Sequence, residues 1–220
     1  MKISCVIPAY NEAKNIAKVV ADVRPYVQEV IVVDDCSADE TATLAAAAGA
    51  SVLRHPVNRG QGAALQTGND CALADGADII VHFDSDDQFV ASEIPDIVAP
   101  IAAGQADIVF GSRFLGRPAN LPRLKRHLIL PLARLFNRLF FGLKFSDPQN
   151  GFRALSRRAA TVIRIDNREM AHATEIQAAA QASGLKIAEV PVTVVYHEFG
   201  QRFSGGLKIA KDMLIHKIIK

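Results

Sequence analysis

Over its first half the chain alternates short runs of β-branched residues, at 3–8, 29–35, 51–55, 78–84 and 107–113, with alanine-rich stretches of helical length at 12–24, 38–48, 61–75 and 93–103. A strand that feeds a helix before the next strand returns parallel to its predecessor, so this alternation predicts an α/β fold with a mostly parallel central sheet and helices on both faces. Each apolar run ends in polar or special residues: Pro8-Ala9-Tyr10-Asn11-Glu12, Asp34-Asp35 and Asp84-Ser85-Asp86. Ligands in such sheets bind outside the carboxyl ends of the strands, so these three segments are expected to share a site.

A length of 220 residues suits one domain with one core, and 50% hydrophobic with 22% charged residues excludes a largely disordered chain. The net charge of +2 is too small to argue for nucleic acid. Cys5, Cys36 and Cys71 have no metal-type spacing, and the N-terminus meets Pro8 too early for a signal peptide, which sets a reducing, cytoplasmic location as the expectation. Arg134 and Arg138 interrupt the most apolar region, so the expected relation to a membrane is peripheral.

Asp84 and Asp86 stand two apart after the fourth run, where a loosened strand end lets both carboxylates converge on one cation, with Gln88 offering a third oxygen. Mg²⁺ and Mn²⁺ prefer such ligands and often share them with a nucleotide diphosphate. The competing reading is a helix cap, for which Asp87 is placed, and Asp39-Glu40-Thr41 reads simply as a helix start. The "NRGQGAA" segment lacks the Walker lysine and the GxGxxG spacing, so its glycines imply close backbone approach or a plain turn.

"VIPAYNE", "VIVVDDCSADET", "HPVNRGQGAALQTG" and "DSDDQ", followed by "DIVFGSR", "DPQNGFR" and "IAEVPVTVVYHEFG", resemble in this order the family 2 glycosyltransferases of GT-A fold, most closely their dolichol-phosphate mannosyltransferase-like branch. The resemblance covers essentially the whole chain as one domain, 1–220, with a nucleotide-sugar half at 1–112 and an acceptor half at 113–220. It implies an inverting, metal-dependent transfer of a hexose from a GDP- or UDP-sugar to a polyprenyl phosphate. By the same resemblance Pro8, Tyr10 and Glu12 line the base and ribose; Asp35, with Val33 beside it, contacts the nucleoside; and Asp34 braces the loop. Asp84, Asp86 and Gln88 hold Mg²⁺ or Mn²⁺, with Ser85 between them.

The resemblance gives Arg113 to the diphosphate or acceptor phosphate, and Asp147 to sugar hydroxyls or to the role of base, although Asp147-Pro148 also reads as a turn. An ionised lipid phosphate attacks without needing a strong base. The branch's late R-x-x-G-x-S-K pattern is replaced by His197 at the arginine position, with Arg202 and Lys208 following, which bears on donor-phosphate contacts. Arg126 joins Arg113 and Arg202 as an expected contact to the acceptor phosphate. Glu175 reads as an exposed helical residue and His172 as packing or solvent-facing.

Residues 121–145 mix a large apolar surface with Lys125, Arg126, Arg134, Arg138 and Lys144, the pattern of an interfacial helix, and 205–220 repeat it. Burial against the sheet and packing in an oligomer are the other readings of that pattern. The rival functions are a family 2 transferase with a polysaccharide or soluble acceptor, a nucleotide-sugar binder that has lost catalysis, and an RNA-binding protein, the last lacking any stacking-aromatic module.

Overall fold

The computed structural model describes residues 1–115, 145–166 and 172–195. Its strands are β1 (Ile3–Ala9), β2 (Glu29–Asp34), β3 (Ser51–Arg54), β4 (Ile79–His82), β5 (Ile108–Ser112), β6 (Arg153–Ser156) and β7 (Ile187–Pro191). The helices are α1 (Ile16–Val23), α2 (Thr41–Ala47), α3 (Gln61–Ala74), α4 (Ile94–Ala102), α5 (Arg157–Val162) and α6 (His172–Ala182). The strands form one sheet in the order β3-β2-β1-β4-β6-β5-β7. β6 runs antiparallel to both of its neighbours, and the remaining pairs are parallel. The α/β reading therefore holds, with one antiparallel insertion that the local pattern does not announce.

Both faces of the sheet are buried, and the strands divide their side chains between them by the two-residue period. Cys5, Ile7, Val30, Val32, Ile79 and Val81 face one core with Ile16, Val19, Val20 and Val23 of α1 and Ile94 and Ile97 of α4. Val6, Ile31, Val33 and Ile80 face the other with Ala64, Leu65 and Ala72 of α3, Ala159 and Ala160 of α5 and Ile176 of α6. The small residues of α3 let it lie close on β1: a Cβ at Gly68 would fall 2.2 Å from Val6 Cγ1.

The order 3-2-1-4 places the reversal of winding between β1 and β4, where a crevice opens beyond the strand ends. β1 pairs with β4 only as far as Val6↔His82, so Pro8, which has no N–H, lies past the last shared rung. The two strands diverge there, and their loops flank the gap. Among the described residues no helix is long and apolar enough to cross a membrane.

Candidate active site

The crevice is rimmed by the loops that leave β1, β2 and β4, and these carry the three non-glycine residues with positive φ among the described residues: Asn11 (55°), Cys36 (68°) and Asp87 (60°). Left-handed backbone at non-glycine positions is costly and persists where surrounding bonds over-determine it. The first two loops are knitted together by such bonds: Asn11 N–H donates to Ser37 Oγ (2.9 Å), Ala38 N–H to Asn11 Oδ1 (2.8 Å) and Glu12 N–H to Thr41 Oγ1 (2.8 Å). Asp39 accepts from the Thr41 N–H at 3.1 Å and from its hydroxyl, which confirms it as a helix-start residue. Tyr10 stays 50% exposed on this rim, an aromatic face turned outward. Glu12 is held by Asn15 Nδ2 at 2.9 Å. Burial raises its pKa, the bond from Asn15 opposes that, and the charges of Asp86 and Asp39 add to the rise.

Asp34 and Asp35 are both buried. Asp34 accepts from Ser37 N–H at 3.1 Å and pairs with Arg54 Nε at 3.0 Å. Asp35 receives Arg59 N–H (2.9 Å) and Gly60 N–H (2.7 Å) and meets His55 Nδ1 at 2.6 Å, while His55 Nε2 reaches Thr67 Oγ1 at 2.9 Å. Both aspartates thus brace loops, including the one expected to face the nucleoside. The side chain of Val33 is 0% exposed inside the second core, so any contact it makes with a ligand runs through its backbone.

Asp84, Ser85, Asp86 and Gln88 stand at the mouth of the crevice on the loop after β4. Asp84 accepts from Gln61 Nε2 at 3.0 Å, and Gln88 N–H donates to Asp86 Oδ1 at 3.2 Å. Burial and then the Asp86 charge push the Asp84 pKa up to about 7, against the opposing pull of Arg153 and Gln61. The helix-cap reading of Asp87 fails, because the residue is left-handed and pairs instead with Lys18 of α1 at 2.6 Å. The far side of the loop is bound by Val195 N–H to Gln88 O at 2.8 Å and by the Phe89↔Val194 bridge.

Two neighbouring carboxylates, with the charge of Asp86 raising the proton affinity of Asp84, offer oxygen ligands that fit a hard divalent cation. The backbone leaves them room: a Cβ at Gly151 would lie 2.5 Å from Asp84 Oδ2. Among the described residues no group of three His, Cys, Asp or Glu side chains is placed to hold a metal ion.

Beneath Asp84 lies a polar layer that the sequence reading missed. Arg153 is 1% exposed and opposite His82 in the β4–β6 register; its Nε donates to Gly151 O at 3.1 Å, and its two Nη atoms make no hydrogen bond. Burial lowers its pKa to about 10 against the pull of Asp84. His82 Nε2 meets Asn69 Oδ1 at 2.8 Å, while His82 Nδ1 and Asn69 Nδ2 are unbonded. Buried polar atoms in such a state are normally satisfied by internal water.

On the acceptor side, Arg113 Nε and Nη2 each reach a different oxygen of Asp147 at 2.7 Å, and Arg113 N–H adds a third bond at 3.1 Å. Asp147 is 2% exposed. The pair is a closed fork joining β5 to the segment before β6, reinforced by Ser146, whose N–H and hydroxyl both donate to Glu189 Oε1 of β7 at 2.9 and 2.7 Å. Glu175 is half-buried rather than exposed and accepts from Asp166 N–H at 3.4 Å. His172 is buried, as packing requires. Arg126, His197, Arg202, Lys208 and most of the 121–145 segment, expected to be an interfacial helix, lie outside the described residues.

Comparison with known proteins agrees with this geometry. The chain is 30% identical over 94% of its length to an undecaprenyl-phosphate mannosyltransferase of Micrococcus luteus, covering 89% of that protein. It is 31% identical over 98% of its length to a UDP-N-acetylglucosamine–dolichyl-phosphate N-acetylglucosaminyltransferase of Methanococcus voltae, covering 96% of it. Its fold matches glucosyl-3-phosphoglycerate synthase of Mycobacterium tuberculosis, solved with Mn²⁺, UDP and phosphoglyceric acid, at a TM-score of 0.73 and 26% identity over 96% of this chain and 75% of that one. The family model for glycosyl transferase family 2 matches residues 4–164, and this chain, a glycosyltransferase, belongs to that family.

Proposed function

We propose that this glycosyltransferase moves a hexose from a nucleoside diphosphate sugar to a polyprenyl phosphate at the cytoplasmic membrane surface, with inversion at the anomeric carbon. The observation that carries this reading is the Asp84–Asp86 pair at the β1/β4 crevice, where two carboxylates crowd each other within electrostatic reach of Glu12 on the β1 loop. Asp84 and Asp86 would hold Mg²⁺ or Mn²⁺, with Gln88 at the edge. The cation supplies charge neutralisation for the departing nucleoside diphosphate. Pro8, Tyr10 and Glu12 take the nucleoside, Tyr10 by stacking, while Arg113, just past the end of β5, is engaged by Asp147.

The state of Asp147 supports an acceptor that is already an anion. Both oxygens of Asp147 are occupied by the Arg113 guanidinium, so neither is presented as a base to a neutral acceptor hydroxyl. A lipid phosphate needs none, and the relatives named for undecaprenyl and dolichyl phosphate point the same way. A second reading, a small soluble phosphorylated acceptor, draws on the fold match to a synthase solved with phosphoglyceric acid.

The test is release of nucleoside diphosphate from a panel of UDP- and GDP-sugars with Mg²⁺ or Mn²⁺, offered a short polyprenyl phosphate in detergent, 3-phosphoglycerate, or neither. Release that needs the lipid phosphate and disappears in Asp86→Ala is the expected result. Release with phosphoglycerate alone selects the second reading, and donor binding with no release under any condition makes the chain an inactive binder.

A further inference from the structure

The segment between β3 and α3, residues 55–61, touches both pairs of aspartates at the crevice. Near one end His55 Nδ1 and the N–H groups of Arg59 and Gly60 all meet the Asp35 carboxylate, at 2.6, 2.9 and 2.7 Å. At the other end the side chain of Gln61, the first residue of α3, donates to Asp84 Oδ1 at 3.0 Å. His55 also reaches Thr67 on the second turn of α3, so the helix start and the Asp35 loop move as one piece. Gly60 joins these ends at φ 89°, a conformation glycine adopts freely, which lets the chain turn from Asp35 into the helix without slack.

We propose that residues 55–61 form a strap that couples nucleoside binding to metal binding, with His55 and Gln61 as positioning residues. This rests on the reading above, in which the nucleoside lies against the β1 and β2 loops and the cation on Asp84 and Asp86. A carboxylate offers about four acceptor positions, and three at Asp35 are taken by the strap. A nucleoside donor engaging the remaining one fixes Asp35, and with it the first turn of α3 and the amide that orients Asp84. In the reverse direction, a cation that orders Asp84 holds Gln61 and tightens the strap on Asp35. Either ligand then lowers the ordering cost of the other, and the coupling is reciprocal.

The experiment uses the full chain, Mn²⁺ alone, and guanosine and uridine, which carry no phosphate and so cannot couple to the metal by direct contact. Mn²⁺ affinity is measured by calorimetry with and without saturating nucleoside, and nucleoside affinity with and without Mn²⁺. The expected result is a tightening of about fivefold in both directions, within the usual range of site-to-site coupling. In Gln61→Ala, an exposed position that should not disturb folding, the factor should fall to about one in both directions, whatever each affinity alone becomes. His55→Ala should lower it likewise, with its melting temperature as control. A wild type that binds both ligands independently, or a Gln61→Ala protein that keeps the full factor, overturns the strap alone. Mn²⁺ binding that survives Asp84→Ala, or a wild type that binds neither nucleoside, overturns the underlying site assignment and the strap with it.

Discussion

Two aspartate pairs end neighbouring arms of the same sheet and are treated in opposite ways. Asp34 and Asp35 after β2 are buried at 0% and 3% exposure, and the chain itself answers their charges with two backbone N–H groups on Asp35, another on Asp34, Arg54 and His55. Asp84 after β4 has the exposed amide of Gln61, faces a like charge on Asp86, and is pushed toward a pKa of about 7. A carboxylate satisfied by its own fold is architecture, whereas one held against its charge is poised for something the fold does not contain. The same contrast separates Asp147, closed on Arg113, from the metal loop.

The contrast is broken most directly by removing the second pair. Asp86→Ala and Asp84→Asn should each lower kcat/KM by roughly 10³-fold, about 4 kcal/mol of transition-state stabilisation, while the melting temperature of the metal-free protein stays the same or rises. A thermal melt run beside the assay checks this, and a drop in stability matching the loss of activity would make Asp84 architectural after all. Asp35→Ala should behave the other way. It strands His55 and two N–H groups in a buried place, at a cost of about 3 kcal/mol, and lowers the melting temperature by roughly 6–12 °C. Its folded fraction should keep more activity than either variant of the metal loop.

Gly151→Ala sharpens the comparison with a smaller step, because it alters no charge. Its Cβ would arrive 2.5 Å from Asp84 Oδ2, so the carboxylate or the loop must shift. We expect the metal concentration for half-maximal activity to rise about tenfold, with about 1 kcal/mol of stability lost. An unchanged metal requirement would mean that Asp84 has room the packing does not reveal.

Much of this was legible in the sequence because it is local. The β-branched runs gave five of the seven described strands, the strand ends gave the rim of the crevice, and Tyr10, Asp84 and Asp86 stand exposed or partly exposed on the loops after β1 and β4. What escaped was set by partners distant in the chain. β6 slots antiparallel between β4 and β5, and a short Arg-Ala-Leu-Ser run carries no sign of that pairing. Arg113 and Asp147, 34 positions apart in the chain, each invite a role in chemistry, and the fold brings the two together gripping each other. Val33 sits one residue from the DD motif, yet strand alternation turns it into the core. Arg153 carries no assigned role in the sequence, and its burial beneath Asp84 follows from the same unannounced β4–β6 pairing.

The smallest effect is the dependence of metal-free stability on pH, to which Asp84 and His82 contribute with opposite signs. The Asp84 pKa is raised from 3.8 in the unfolded chain to about 7 in the fold, so the folded state holds this proton more tightly. Its contribution is fully present below pH 4, fades as pH rises, and is gone above about 7. Solvent at the loop screens the effect, leaving about 1 kcal/mol, or 2–4 °C in melting temperature for a domain of this size. His82 acts in the opposite direction: burial holds its pKa well below 6.5, so the fold loses stability as pH falls through that value. A simple pH scan would mix the two, and the wild type must be read against Asp84→Asn. The difference between their melting temperatures should turn in favour of the variant as pH rises from about 4 to about 7, and saturating Mn²⁺ should cancel it in the wild type alone. Equal curves for the two proteins would place Asp84 with Asp35 as a carboxylate at rest in its fold, and the crevice would lose the imbalance on which its chemistry depends.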